Sequence, residues 1–158
     1  MNKLNFTAAH LRALVAAAAV ALAAPVFAAD ISLTGVTSVQ NGLDNVSNVT
    51  SIESGAAGGA DSSNYASVIQ NGNDNVANIT QTGFGNHVEL TQSGDSNSFA
   101  AQQIGSENTI LAQQFGNAVA TLYQNGSNNS IQLYQAAGQN VAYVSQTGSG
   151  NRAVIIQR

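Results

Sequence analysis

The chain has 158 residues, of which 8% are charged and none is cysteine, and its formal net charge is −4. The lack of cysteine excludes the disulfide framework on which small exported domains often depend. The charged fraction is far below the roughly 25% of ordinary globular domains, and an amide-rich, weakly charged composition is typical of repetitive or β-aggregating sequences rather than of enzymes.

A secretory signal peptide is predicted at residues 1–28. Two basic residues flank the start of an apolar run at 13–24, Pro25 ends the run, and the small residue Ala28 suits a cleavage site. The run is well short of the ~20 residues that a membrane-spanning helix needs, which favours cleavage over a stable membrane span. The exported chain is therefore expected to begin near Ala29 and to be extracellular.

The exported chain is acidic. It keeps all eight Asp and Glu residues but only two of the four Lys and Arg residues, Arg152 and Arg158, so its formal net charge is −6. A chain without a basic cluster lacks the side chains that neutralise nucleic-acid phosphates. Nucleic acid is therefore not expected as a partner.

Residues 29–39 are expected to form an N-terminal segment, and residues 40–158 repeat with a period of eleven. The repeating unit is Gln-x-Gly-x-x-Asn, followed by the residues that lead to the next Gln. A fixed short period is typical of a solenoid, in which each unit packs against its neighbours. The Gln positions are Gln70, Gln81, Gln92, Gln103, Gln114, Gln124, Gln135, Gln146 and Gln157; the Asn positions are Asn64, Asn75, Asn86, Asn97, Asn108, Asn129, Asn140 and Asn151; the Gly positions are Gly72, Gly83, Gly94, Gly105, Gly116, Gly126 and Gly148.

Between each Asn position and the next Gln, the second and fourth residues are both apolar in nine consecutive windows. This alternation is typical of a strand with one buried face, whereas a helix would place those two residues about 200° apart. The pattern predicts an all-β fold whose core contains these residues. The pairs are Ala66/Val68, Ala77/Ile79, Val88/Leu90, Phe99/Ala101, Ile110/Ala112, Ala120/Leu122, Ile131/Leu133, Ala142/Val144 and Ala153/Ile155.

The Gln-x-Gly-x-x-Asn stretches are predicted to be turns, because Gly and Asn tolerate the positive φ of a tight reversal. Two strands and two turns make a rung of 22 residues, and the sequence from Asn45 onward supplies about five rungs of a cross-β solenoid, with a weaker further strand at 34–40. Like residues then lie over like at ~4.7–4.8 Å, which predicts assembly ladders of Gln and Asn side-chain amides.

Departures from the repeat predict irregular corners. Ser51 takes a Gln position, and residues 52–63 are interpreted as an insertion at a turn that leaves the neighbouring register intact. One residue is lost near Gln114, which puts Ala118 at an Asn position, and Gly138 comes one place later than the repeat requires.

The repeat resembles the curlin repeat of curli fibre subunits, Ser-x5-Gln-x-Gly-x-x-Asn-x-Ala-x3-Gln. Residues 75–81 and 140–146 are similar to its second half, and the likeness covers residues 40–158, about three quarters of the chain. Asn takes the family's Ser position in several units, which is a mild change.

The resemblance implies a structural subunit of secreted amyloid fibres on the bacterial cell surface, with roles in biofilm matrix and cell adhesion. It implies a homopolymer, a companion curli subunit, and export through an outer-membrane pore with accessory proteins. Both the major and the nucleating minor subunit are compatible with the repeat. Neither a cofactor nor an enzymatic activity is expected.

The residues themselves also predict self-association. Seven of the eighteen core positions are Ala, which buries little area, so an isolated monomer is only marginally stable. A solenoid ends in open strand edges unless polar caps cover them, and the sequence suggests no such cap. A second copy is therefore the expected cover.

Other candidate sites have simpler explanations. His87 and Glu89 project from one strand face, but no third ligand stands at a suitable spacing, so exposed strand residues are expected rather than a metal or catalytic site. Outward tyrosines follow from ordinary β-propensity, and contacts with surfaces or neighbouring fibrils are the alternative. These tyrosines are Tyr65, Tyr123, Tyr134 and Tyr143.

The main alternative is a soluble β-solenoid that binds surfaces, such as an ice-binding or adhesin module. Ice binding needs flat rows of Thr, and the candidate Thr residues do not share one column. The acidic turn residues act either as gatekeepers against lateral aggregation or simply as solvated residues. The Thr residues are Thr80, Thr91, Thr109 and Thr121, and the acidic residues are Asp44, Asp74, Asp95 and Glu107.

Overall fold

A computed structural model of the chain describes residues 35–53, 63–136 and 138–158, and every regular element in these ranges is a β-strand. The predicted signal peptide and most of the predicted insertion lie outside them. No helix in the described ranges is long and apolar enough to cross a membrane. The strands are β1 Val36–Asn41, β2 Val46–Ile52, β3 Tyr65–Asn71, β4 Val76–Phe84, β5 His87–Ser93, β6 Ser98–Ser106, β7 Thr109–Phe115, β8 Val119–Ser127, β9 Ser130–Gln135, β10 Val141–Ser149 and β11 Arg152–Gln157.

The strands alternate between two sheets. The odd-numbered strands form a six-stranded sheet in the order β1-β3-β5-β7-β9-β11, and the even-numbered strands form a five-stranded sheet in the order β2-β4-β6-β8-β10. All pairings are parallel, because each strand pairs with the strand that follows one full turn later. The predicted fold class, an all-β solenoid of stacked strands, is confirmed.

The core lies between the two sheets. Fifteen of the eighteen predicted apolar core residues are buried, including Phe99, and the remaining three, Val144, Ala153 and Ile155, are half-buried against them. All three lie on β10 and β11, which have no further strand on their outer side among the described residues. The burial of these core residues therefore declines at the end of the stack formed by β10 and β11, and not in its interior.

Register is kept across the irregular parts of the sequence. Residues 53–64 separate β2 from β3. Ser51 nevertheless pairs with Gln81 before this connection, and Gln70 pairs with Gln92 after it. The weaker strand expected at 34–40 is present as β1. The repeat therefore sets strand register more strongly than the length of any one connection.

The two kinds of corner differ. In the five-stranded sheet, β4, β6, β8 and β10 each run for nine residues and continue pairing through the corner glycine, for example Gly83 with Gly105. In the six-stranded sheet the strands stop after six or seven residues, before the glycine. In these turns, strand pairing therefore continues through the glycine of one corner and stops before the glycine of the other.

Candidate functional site

The Gln side chains form two columns that run through the stack. In the six-stranded sheet, the Nε2 of each Gln donates to the Oε1 of the Gln one turn later, at 2.8–3.0 Å. The five-stranded sheet repeats the arrangement. One column contains Gln40, Gln70, Gln92, Gln114, Gln135 and Gln157, and the other contains Gln81, Gln103, Gln124 and Gln146.

Each Gln amide also bonds across the core. The Nε2 of Gln70 donates to the backbone oxygen of Val46 at 3.0 Å, and the Nε2 of Gln81 donates to that of Tyr65 at 2.9 Å. Seven of these glutamines are fully buried: Gln70, Gln81, Gln92, Gln103, Gln114, Gln124 and Gln135. A buried amide is stabilising only when its hydrogen bonds are made, so these bonds connect the two sheets and also link successive turns.

The Asn side chains form a second pair of columns with the opposite polarity. The Oδ1 of Asn64 accepts hydrogen bonds from both the backbone N–H and the Nδ2 of Asn86, which lies one turn later, each at 3.0 Å. The Nδ2 of Asn86 also donates to the Gly105 oxygen at 2.9 Å, which closes the corner. One column contains Asn64, Asn86, Asn108, Asn129 and Asn151, and the other contains Asn45, Asn75 and Asn97 before Ala118 interrupts it.

The corner glycines allow turns to approach one another closely. All seven predicted positions have positive φ, and a Cβ built on Gly83 would lie 1.9 Å from the Gly105 oxygen. In most corners a second left-handed residue comes directly before the motif Asn, for example Asp74 at φ 56 and Glu107 at φ 56, and the motif Asn itself is not left-handed. The expectation that Asn serves through positive φ is therefore wrong, because its side chain is used for the ladder.

Two interruptions weaken the ladders. Ser51 is too short to reach the next Gln, so the Oε1 of Gln81 and the Oγ of Ser51 are buried without a hydrogen-bond partner. At Ala118, the backbone N–H still donates to the Oδ1 of Asn97 at 3.1 Å, but no side-chain amide continues the column. This is the irregular corner predicted from the lost residue. The other predicted corner includes residue 137, which lies outside the described residues.

Gln40 and Asn45 also belong to the ladders, although the sequence-based set of assembly residues does not include them. The Nε2 of Gln40 donates to Gln70 at 2.8 Å, and the Oδ1 of Asn45 accepts from the Nδ2 of Asn75 at 3.1 Å. The complete motif Gln40-x-Gly42-x-x-Asn45 precedes the first strong window and is the pattern that identifies them.

Two open ends complete the candidate site. We call the free edges of β10 and β11 the β11 end, and those of β1 and β2 the β1 end. In the described residues, these four strands each pair on one side only. The backbone groups and amide columns that reach these edges provide the hydrogen-bonding pattern of one more turn.

The remaining candidates form no convergent site. His87 Nε2 lies 3.1 Å from Glu89 Oε1 on the outer face, and the His87 ring stacks on Tyr65 at a centroid distance of 4.8 Å. No group of three possible metal ligands occurs in the part of the chain described. The four predicted turn acids are exposed at corners, where Asp95 Oδ1 accepts from the backbone N–H of Asn73 at 2.8 Å.

A shallow concavity of about 330 Å³ lies on the outer face of the six-stranded sheet. Its lining includes Leu111, Tyr134, Val154 and Ile156, together with polar outward residues such as Gln113. The lining lacks a cluster of acid, base and nucleophile side chains that would suggest catalysis.

A comparison with family models matches residues 126–158 to the curlin associated repeat. This segment contains β9, β10 and β11, and it includes the ladder residues Gln135, Gln146, Gln157, Asn129 and Asn151. The match confirms the predicted resemblance for this part of the chain. No curated protein matches, and no solved structure matches. Together, the repeat match and the β-solenoid fold support a curli-like structural subunit.

Proposed function

We propose that this curli-like subunit polymerises into extracellular amyloid-like fibres by stacking its open ends, without catalysing a reaction. The proposal is carried by the sheet edges at the β1 end and the β11 end, which have no partner strand among the described residues. Exposed strand edges template pairing with another chain unless charge, proline or a covering element blocks them. Gln157 and Asn151 bring the amide columns to the β11 end, so both backbone and side-chain patterns extend to the edge.

The energetics favour addition of a copy. A new interface would pair on the order of ten backbone groups at about 1 kcal/mol net each, and it would also bury side chains that are now half-exposed. Ala153 and Ile155 are partly buried at this end, whereas their counterparts on β9, Ile131 and Leu133, are buried. A stacked copy would give the β11 residues the environment that β9 already has.

The fibre would serve as surface matrix material. On this proposal the chain is exported through an outer-membrane pore with accessory proteins, meets a companion curli subunit at the cell surface, and contributes to biofilm matrix and cell adhesion. The gatekeeper role of the exposed turn acids, such as Asp74 and Glu107, belongs to this proposal, because charged corners would oppose lateral sticking while leaving the strand edges open.

The soluble surface-binding alternative has less support. Ice binding by a solenoid requires rows of Thr on a flat outer face. In the paired strands, Thr lies beside Thr only at Thr50 and Thr80, and the next residue of that column is Gln102.

The test is the assembly of the chain from Ala29 onward. We expect the purified, initially disordered chain to form β-rich, dye-binding filaments with a meridional reflection near ~4.7 Å. Electron microscopy, dye fluorescence and fibre diffraction measure this. A chain that stays monomeric through prolonged incubation at neutral pH would contradict the proposal, as would filaments whose strands run along the axis.

A further inference from the structure

The described solenoid contains an odd number of strands, and this restricts how copies can stack. Six strands lie in one sheet and five in the other. If β1 of a second copy were placed on β11, in the same sheet, the other sheet would lack a strand between β10 and β2 of the second copy. The missing strand would leave a gap of one ~4.8 Å spacing, with unpaired backbone groups on both sides.

We propose that successive copies stack head to tail with a half turn between them, so that β10 pairs with β1 of the next copy and β11 pairs with β2. The six-stranded sheet of one copy then continues as the five-stranded sheet of the next, and both sheets stay unbroken. This inference rests on the proposed function, since it specifies the partner as a second copy and the geometry of its contact.

The glycine columns fit this arrangement. Aligning Gln146 with Gln40 of the next copy places Gly148 against that copy's Gly42. Inside the chain, a Cβ built on Gly126 would lie 1.9 Å from the Gly148 oxygen, and Gly83 and Gly105 of the same column approach the next carbonyl as closely. A Cβ on Gly148 would meet nothing closer than Asn151 Nδ2 at 3.6 Å, which leaves that space open. Gly148 and Gly42 share the left-handed conformation, at φ 106 and φ 124.

The amide columns also continue across the contact. Gln146 donates to the Ser130 oxygen at 3.2 Å, and no described residue accepts its other amide hydrogen or donates to the Oε1 of Gln40. The same register places Asn151 against Asn45 of the next copy. The Oδ1 of Asn151 would then accept from the backbone N–H and Nδ2 of Asn45, as the Oδ1 of Asn129 accepts from Asn151 at 3.0 and 2.9 Å.

Charge distinguishes the half-turn arrangement from stacking in the same sheet. The Lys and Arg residues of the described ranges are Arg152 and Arg158, both near the β11 end. With the half turn, Gly150 faces Asp44 of the next copy, and Arg152 lies two residues further along the chain. Arg158 faces that copy's Ile52, the residue before Glu53. Stacking β1 on β11 would instead place the two arginines against Gly35 and Asn41, which carry no charge. Because opposite charges across a contact stabilise it, they favour the half-turn register over stacking in the same sheet.

Cysteine pairs test the register directly, because the chain has no cysteine of its own. Val39 and Ser145 are exposed outward residues that face each other across the half-turn contact, at the strand spacing that a disulfide can bridge. Val39 and Ile156 would face each other only if β1 stacked on β11. The matched variants are therefore V39C/S145C and V39C/I156C, with V39C alone as the control.

We expect oxidised V39C/S145C filaments, dissolved without reductant, to give a ladder of covalent multimers at least ten-fold stronger than V39C/I156C filaments. A stronger ladder from V39C/I156C, or none from either variant when both form filaments, overturns the half-turn stacking. Efficient cross-linking of V39C alone overturns head-to-tail stacking, because it joins two β1 ends.

Filament symmetry of the unsubstituted chain is the second measurement. Eleven strands shared between two sheets give a rise of about 26 Å and a rotation near a half turn for each copy, whereas stacking in the same sheet gives about 29 Å, since each turn rises ~4.8 Å. Filaments with the second symmetry would overturn this stacking and leave the proposed function standing. Failure of the unsubstituted chain to form any filament would overturn both.

Discussion

The turn formed by β1 and β2 differs from the turn formed by β5 and β6 in what its inward positions hold. On β5 and β6 these positions hold buried apolar side chains and a full complement of Gln. On β1 and β2, serine takes three of the six positions, and the apolar residues are partly exposed. The inward residues are Val88, Leu90, Gln92, Phe99, Ala101 and Gln103 in the first case and Val36, Ser38, Gln40, Ser47, Val49 and Ser51 in the second.

This difference shows that strand register and stability depend on different interactions. The hydroxyls of Ser47 and Ser51 are buried without hydrogen-bond partners, yet β2 still pairs in register with β4 along its whole length. Backbone pairing and the remaining amides therefore suffice to align a turn. Apolar volume makes the middle of the stack more stable than its β1 end.

The largest expected effect comes from removing that apolar volume. Phe99→Ala should lower stability by about 3–5 kcal/mol, because Phe99 is fully buried and the two sheets cannot close the cavity. Val49→Ala on the half-buried end should cost ~1 kcal/mol. The midpoint of filament dissolution in guanidinium chloride measures both. Equal losses from the two variants would remove the distinction between middle and end.

The second prediction tests the ladders where they reach the β11 end. Replacing both Gln146 and Gln157 with Ala should lengthen the lag phase of assembly, because Gln124 and Gln135 would lose buried hydrogen-bond partners at about 1–3 kcal/mol each. The matched control replaces the outward residues Ser145 and Ser130 with Ala. Equal lag times for the two double variants would show that the amide ladder does not direct assembly.

The smallest effect is expected from repairing the β1 end. Ser51→Gln should give the unpaired Oε1 of Gln81 a donor and stabilise filaments by ~1 kcal/mol, while Ser51→Ala only removes an unpaired hydroxyl. Dissolution midpoints of the two variants measure the difference. If Ser51→Gln is less stable than Ser51→Ala, the interrupted column is not an incomplete ladder.

Much of this fold follows from the sequence. The eleven-residue repeat fixes how strands stack, and the two-residue apolar alternation fixes which side chains face the core. The inward positions of β3 to β9 follow from simple alternation, as Val88, Phe99 and Ile131 show. Stacking of Gln70 over Gln92 follows from equal spacing along the chain. The repeat also predicts that the insertion lies at a corner, because it resumes in phase after residue 63.

The parts that sequence does not specify depend on three-dimensional detail. Strand pairing continues through Gly83 but stops before Gly72, although both glycines occupy the same motif position. Where a left-handed residue precedes the motif Asn, it is Asp, Ser, Glu, Asn or Gly, so no residue type identifies it. The unpaired Gln81 oxygen depends on the length of one neighbouring side chain, Ser51, and the stack of Tyr65 on His87 depends on rotamers.

The opposite polarity of the Gln and Asn columns has an electrostatic consequence for a long polymer. Carbonyl dipoles in the Gln columns point toward β1, whereas those in the Asn columns point toward β11. Dipoles that are aligned in one direction add up along a column, as they do along a helix. Because the two kinds of column oppose each other, the partial charges that they leave at each open end offset one another. Neither end of the proposed filament would therefore carry a strong dipole charge from its side chains.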